Sequence, residues 1–361
     1  MSNLYVDFHV LQTVPPSCIN RDDMGSPKTA EFGGKRRARV SSQSWKRAMK
    51  EAFKGIFTED QLGYQTKKMK NLVAKKITEL DSNYTMEAAE KLAEAELKEA
   101  NLGADNILFF ISSSQVEGLA RAILDTNDAV KDKKKAKDIK SASLKAALTE
   151  NPSIDICLFG RMSAGEALLT VEAASQVAHA ISTHAVDNQF DYYTAVDDCS
   201  GEEETGSGFL GTTEFNSSTL YRYANVNVNE LMEHLSKEEA VDAVRGFAEA
   251  FIKSMPTGKQ NSFANRTLPD MVYVTVRTDQ PVNMVSAFEK PVFAGVNGYM
   301  AGSKKAFVQY TEEMYEDWLP KPDSVWYVGK IEEEKAESFG TKVTLSELLD
   351  SLKKDLTNRL S

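Results

Sequence analysis

Apolar and polar residues alternate from the start of the chain. Leu4, Val6, Phe8 and Val10 fall on one side of an extended segment and Tyr5, Asp7 and His9 on the other, which predicts a half-buried strand over 4–11. Pro15 and Pro16 close it. The next residues, Ser17 to Gly34, form a polar stretch punctuated by Gly25, Pro27, Gly33 and Gly34, and a loop of that length inside a domain is functional or disordered. Arg36 to Val40 fits a short strand. After it, Ser41 or Ser42 is placed to cap a helix reaching about Phe53. Trp45, Ala48, Met49, Ala52 and Phe53 recur at helical spacing as a core face, with Gln43, Lys46, Arg47, Lys50 and Lys54 opposite.

From about Thr58 to Thr183 the periodicity is mostly helical, which reads as a helical insertion or subdomain. Within it, Ile154 to Phe159 reads as a buried strand ending at Gly160-Arg161-Met162, and a helix ends near Thr183. Asp191 to Ser218, with its paired aromatics and glycines, predicts an extended hairpin with a loose tip. Leu220 to Val228 then alternates as a strand, Lys237 to Lys253 is an amphipathic helix, and Met271 to Arg277 is a strand. Strand, helix, insertion, strands, helix, strand is the order of an α+β fold, a split ferredoxin-like or RRM-like domain interrupted by helices. The C-terminal part adds helices and a strand at Val325 to Ile331 that the pattern alone does not place.

Charge changes this picture by its distribution. The 361 residues carry a net charge of −10, unlike a protein that coats nucleic acid over its whole surface. Met1 to Lys50 nevertheless carries +5, leaving −15 for the rest, so a positive patch sits on an acidic body. No run of about 18 apolar residues and no charged lead before an apolar segment occurs, so export and membrane insertion are not expected. Cys18, Cys157 and Cys199 are widely spaced with no Cys-x-x-Cys; they read as reduced thiols of a cytoplasmic protein, with no metal or cofactor implied.

The segment from Phe32 to Arg47 combines a glycine pair, dense cations and a helix N-terminus, whose free amides and dipole favour anions. It reads as a phosphate track; the alternative is a basic helix paired with the protein's own carboxylates. Gly-x-x-x-x-Gly-Lys-Ser/Thr and Gly-x-Gly-x-x-Gly are both missing from it. Asp22 and Asp23 are candidates for metal-assisted RNA cleavage, or else they cap a turn or pair with Arg21. His179 and His184 are five apart, so on a helix they would not share a face as zinc ligands do; core or hydrogen-bonding histidines are expected. The runs Lys131 to Lys137 and Lys259 to Ser262 are cationic segments within reach of nucleic acid, for which a solvated helix end or connector is the preferred reading. Met162 and Phe209-Leu210 are apolar residues in polar surroundings, either core side chains or wedges between bases.

Taken together, Pro16 to Met24, Phe32 to Met49, Gly160-Arg161-Met162, Ala178-His179-Ala180-Ile181-Ser182-Thr183-His184, Thr194 to Asp198 and Tyr221 to Asn225 closely resemble the CasC family, the repeated backbone subunits of type I-E CRISPR Cascade complexes. The resemblance runs to about Val292. It implies an RRM-like palm (1–57 and 224–361, the latter with C-terminal helices), a helical fingers insertion (58–185) and a β-hairpin thumb (186–223). It also implies a non-catalytic protein that polymerises along guide RNA (crRNA), presents it to target DNA and contacts other Cascade subunits. Carried over by position, Arg21, Lys28, Ser41, Gln43, Lys46 and Lys50 would hold the RNA backbone. Met162 and Leu210 would wedge near a flipped base, and Lys259 and Gln260 would add a second backbone contact. Related backbone subunits of other CRISPR types cleave RNA with an aspartate in the loop that holds Asp22 and Asp23, which keeps a metal-dependent ribonuclease as the rival reading.

Overall fold

A computed structural model describes residues 3–100, 102, 108–128, 133–162, 167–195 and 209–361. Its strands are β1 (Tyr5–Ser17), β2 (Thr29–Phe32), β3 (Lys35–Val40), β4 (Gly63–Thr66), β5 (Phe109–Ser112), β6 (Ser175–Val177), β7 (Ala180–Ser182), β8 (Gln189–Ala195), β9 (Phe209–Asn227), β10 (Met271–Arg277), β11 (Ser324–Gly329) and β12 (Thr341–Lys342). The large sheet runs β12-β11-β10-β1-β9-β7-β3-β2, with β6 and β8 also pairing with β9, and β4 pairs separately with β5. With its helices the fold is α+β. The chain divides into two compact units: 1–51, 177–225 and 247–355 form the first, and 52–176, 226–246 and 356–361 the second.

In the first unit β1 is central and buried on both faces, not on one. Phe8 packs on Phe247 and Phe251, at ring separations of 5.6 and 6.3 Å. On the other face Asp7 and His9, each 1% exposed, lie under a second layer. The register sets Asp7 opposite Thr275 and His9 opposite Tyr273. Met284, Phe288, Phe307 and Phe339 close over them together with Tyr221, Tyr223 and Tyr327. Alternation predicted a solvent-facing side because Tyr, Asp and His are polar; the C-terminal part of the chain covers that side instead. The buried polar groups are paired. Tyr223 donates its hydroxyl to Asp7 Oδ1 (2.7 Å), the Val282 N–H donates to Oδ2 (3.2 Å), and His9 Nδ1 lies 2.9 Å from the Tyr221 hydroxyl. Burial raises Asp7 to about 7 and lowers His9 to about 3.

The other face of the sheet takes helix α1 (Ser42–Phe53), whose Trp45 joins Val14, Val40, Ala180 and Leu220 in the core. Arg222, fully buried, holds that indole in place. Its guanidinium sits 3.7 Å from the Trp45 ring centroid and donates to Gln12 Oε1 (2.6 Å) and the Phe251 carbonyl. Burial pulls its pKa down to about 9.

The second unit is largely helical. Helices α2 (Met69–Leu80), α3 (Met86–Glu99), α4 (Ser113–Asp128) and α5 (Lys133–Thr149) share a core of Val73, Ile77, Leu97, Leu119, Ile123 and Leu144, as the periodicity predicts. Two elements differ from the expectation. Ile154–Phe159 is a short helix, α6, ended by Gly160 at φ 78°, and not a strand. Ile154 to Leu158 are all buried, so the apolar run carries no period that separates strand from helix. The stretch before Thr183 is β6 and β7, not a helix: Ala178 N–H donates to the Tyr223 carbonyl, and Ile181 pairs with Tyr221. That partner lies forty residues on, beyond any local pattern. The predicted hairpin is present as β8 and β9, registered from Gln189↔Phe215 to Ala195↔Phe209; its acidic tip, 196–208, lies outside the described residues. So do Lys131 and Asp132 and the side chains of the lysines that follow them. Among the described residues no helix is long and apolar enough to cross a membrane.

Candidate nucleic-acid interface

The long polar loop between β1 and β2 is ordered by its own backbone. Asp22 Oδ1 accepts from the amides of Met24 and Ser26, both at 3.0 Å, and Gly25 takes φ 86° in the turn. Asp22 N–H donates to the Ser26 carbonyl, and Arg21 bridges to Pro27. Asn20 then ties the loop to the helix: its Oδ1 accepts from the Ser41 N–H (2.9 Å), and its carbonyl accepts from the Lys28 N–H. Ser41 Oγ caps α1 by accepting from the Ser44 N–H. A third strand of chain closes the site. Gly258 approaches so near that an added Cβ would stand 2.2 Å from the Ile19 carbonyl, and Lys259 takes the left-handed φ 46°.

These segments enclose a cleft of about 710 Å³ with Asn20, Arg21, Ser44, Arg47 and Lys259 on its wall. Its formal charge is balanced, because Asp22, Asp23 and Glu51 line it as well. Excess positive charge lies beyond its edge. A smaller recess shares Ile19 and Asn20 and so flanks the same loop; it is lined by Lys28, Arg39, Asn216 and Ser218 and by no carboxylate. Lys46 is half-buried, and burial lowers its pKa. The arrangement provides separated cations, amides and hydroxyls at a capped helix end, the groups that hold successive phosphates.

A family model described as CT1975-like protein matches residues 6–354. The chain belongs to the CT1975-like family. It is similar along its length to a chain of a solved CRISPR RNA-guided surveillance complex, pre-nicking, at 30% identity over 98% of this chain and 100% of that one, with a TM-score of 0.80. A chain of another CRISPR RNA-guided surveillance complex matches at 30% identity, 97% and 99% coverage, and a TM-score of 0.64. No curated protein matches the sequence.

In this CT1975-like chain the residues singled out from the sequence divide clearly. Arg21, Lys28, Ser41, Gln43, Lys46, Lys50, Lys259 and Gln260 all belong to the first unit, around the loop and α1. Gln43 is exposed at the helix start, whereas the Lys50 ammonium is buried. Lys259 Nζ donates to Thr213 Oγ1 at 3.3 Å, and Gln260 opens the short helix Gln260–Phe263. Met162 belongs to the second unit and is 91% exposed. Its neighbour Arg161 anchors the segment with a buried guanidinium that donates to the carbonyls of Leu169, Phe110 and Leu148. Leu210 lies in β9, with its side chain outside the described residues.

The basic run from Lys35 to Arg39 corrects the first impression of a continuous phosphate track. Gly33 and Gly34, at φ 57° and 67°, are the two-residue turn of the β2–β3 hairpin and not a phosphate cradle; a Cβ on Gly33 would meet the Glu289 carbonyl. Arg37 is fully buried and donates to the carbonyls of Ser182, Phe288 and Glu289 at 2.9–3.0 Å. Lys35 and Arg39 share its face of β3 and stay exposed or half-buried, so the backbone laid over Arg37 at Ser182 and 288–289 buries it, while Ala38 and Val40 on the other face join the core. Arg47, on the predicted polar stripe but not selected there, is exposed and lines the cleft; its spacing four residues after Gln43 was the available signal. His184 is a core histidine: its Nδ1–H donates to the Ala185 carbonyl, its Nε2 accepts from the Thr219 N–H, and burial lowers its pKa.

Proposed function

We propose that this chain is a guide-RNA-binding backbone subunit of a Cascade-type CRISPR complex, of the CasC kind found in type I-E systems. It stacks head to tail with further copies along the crRNA and presents the bases to target DNA. The observation that carries the reading is the loop of residues 19–28, which holds Arg21 and Lys28, is tied to a capped helix start and shares its cleft with Arg47 and Lys259. Membership of the CT1975-like family and full-length similarity to chains of surveillance complexes support it. The order β10-β1-β9-β7, with α1 (Ser42–Phe53) after β1 and Lys237–Lys253 before β10, supports an RRM-like palm. The mostly helical 58–185 then serves as fingers and the 186–223 hairpin as thumb. RNA stacking on the sheet in the usual RRM manner is disfavoured, because the C-terminal part buries the aromatics of that face. Holding the guide by its phosphates leaves the bases free to pair.

The role is non-catalytic. Asp22 spends one carboxylate oxygen on two loop amides, as a turn cap does. Purified complex is expected to carry short RNA of uniform length and to leave complementary RNA intact in magnesium. Cleavage lost in Asp23→Ala would establish the ribonuclease instead, and a protein free of RNA that binds none would sink the scaffold role.

A further inference from the structure

His179 contacts Arg39, which lines the carboxylate-free recess together with Lys28, and nothing in the reading above uses it. Its ring is exposed, and its Nδ1 lies 3.1 Å from an Arg39 guanidinium nitrogen. Arg39 has only donors, so Nδ1 accepts and the imidazole is the neutral Nε2–H form, with that N–H left for solvent or a ligand. Arg39 also donates to the Thr29 carbonyl (3.3 Å), which holds the guanidinium in place between β3 and the start of β2. Among the described residues, the charged groups facing His179 are Arg39 of β3 and Lys28 of the loop, with no carboxylate to counter them. Lys28 and Arg39 thus line a recess whose wall also carries Asn216 and Ser218, and Arg39 bears the imidazole beside it.

We propose that Lys28, Arg39 and His179 form a phosphodiester subsite, and that His179 takes up a proton when RNA binds there. The inference rests on the guide-RNA reading. Without a ligand, burial first and then the two cations lower the pKa of His179. A phosphate set among the three supplies the missing negative charge and favours the imidazolium, whose Nε2–H then donates to a phosphate oxygen. Binding coupled to proton uptake strengthens as pH falls, by at most about tenfold per pH unit for one proton.

The test measures affinity of the intact protein for an unstructured single-stranded RNA at constant salt from pH 8 to pH 6. Wild type is expected to tighten by about threefold or more across that range. His179→Gln, which keeps an acceptor for Arg39 but cannot titrate, is expected to bind no more tightly than wild type at pH 8 and to show no tightening below it. The imidazole C2 proton of His179, followed by NMR, is expected to titrate at higher pH with RNA than without. Equal pH profiles for both proteins would overturn the proposal while leaving the guide-RNA reading intact. A uniform loss of affinity in His179→Gln would mark a structural role and overturn it too. No binding of the RNA by either protein would overturn both readings.

Discussion

Asp7→Asn gives the sharpest test of the buried layer over β1. The folded protein holds Asp7 protonated up to about pH 7, against 3.8 for the free side chain, so Asp7 binds more protons folded than unfolded in that window. Stability from this group is therefore present below pH 3.8 and lost as pH rises to about 7. His9 works in the opposite sense. It drops from 6.5 to about 3, so the unfolded chain binds more protons and stability is lost as pH falls below 6.5. The two slopes, each about 1.4 kcal/mol per pH unit, cancel between roughly pH 4 and 6.5. Asparagine removes one of them. The His9 slope is then uncovered, and the variant is expected to lose about 2–3 kcal/mol more than wild type between pH 6.5 and 4.5. Urea unfolding at half-unit pH intervals measures this, since a pH-independent cost of the substitution moves the whole curve without tilting it. Parallel curves for the two proteins would refute the argument.

Four other outcomes follow from the same geometry. With Arg21, Lys28, Lys46, Arg47 and Lys259 each meeting one phosphate, log Kd should change with log salt at a slope of about 3.5, and Lys46→Met should lower that slope by about 0.7; an unchanged slope removes Lys46 from the interface. Arg37→Met strands the buried carbonyls of Ser182 and Phe288 and the part-buried one of Glu289, and should cost about 3–5 kcal/mol in urea unfolding, without altering the salt slope of RNA binding by the folded fraction. Gly33→Ala forces a Cβ against the Glu289 carbonyl in a left-handed turn and should destabilise by more than about 2 kcal/mol in the same assay; a neutral effect would contradict the hairpin geometry. Asn20→Ala unties the loop from the Ser41 amide, so RNA affinity measured at low salt should fall by about tenfold while the melting temperature changes by a few degrees at most.

Local chemistry made part of this protein readable. The α1 helix, its cap at Ser41 and its two faces are written at spacings of three and four, because a helix satisfies its own backbone within one turn. The Asp22 turn, the β8–β9 hairpin and the helices of the second unit are legible for the same reason, as is the gathering of the cations and serines around one loop and one helix start.

Only tertiary structure could decide the rest. Arg36, Arg37 and Arg39 are chemically alike. Yet Arg37 is a core tie held by three distant carbonyls, while Arg39 reaches His179 140 residues away. Alternation on β1 showed two faces but not that the C-terminal part covers the polar one, since covering it takes residues some 280 positions on. Ala180 to Ser182 became a strand because β9 offered it a partner, against a helical-looking composition. Long-range pairing leaves little local trace, because a strand completes its hydrogen bonds with a segment that its own sequence does not contain.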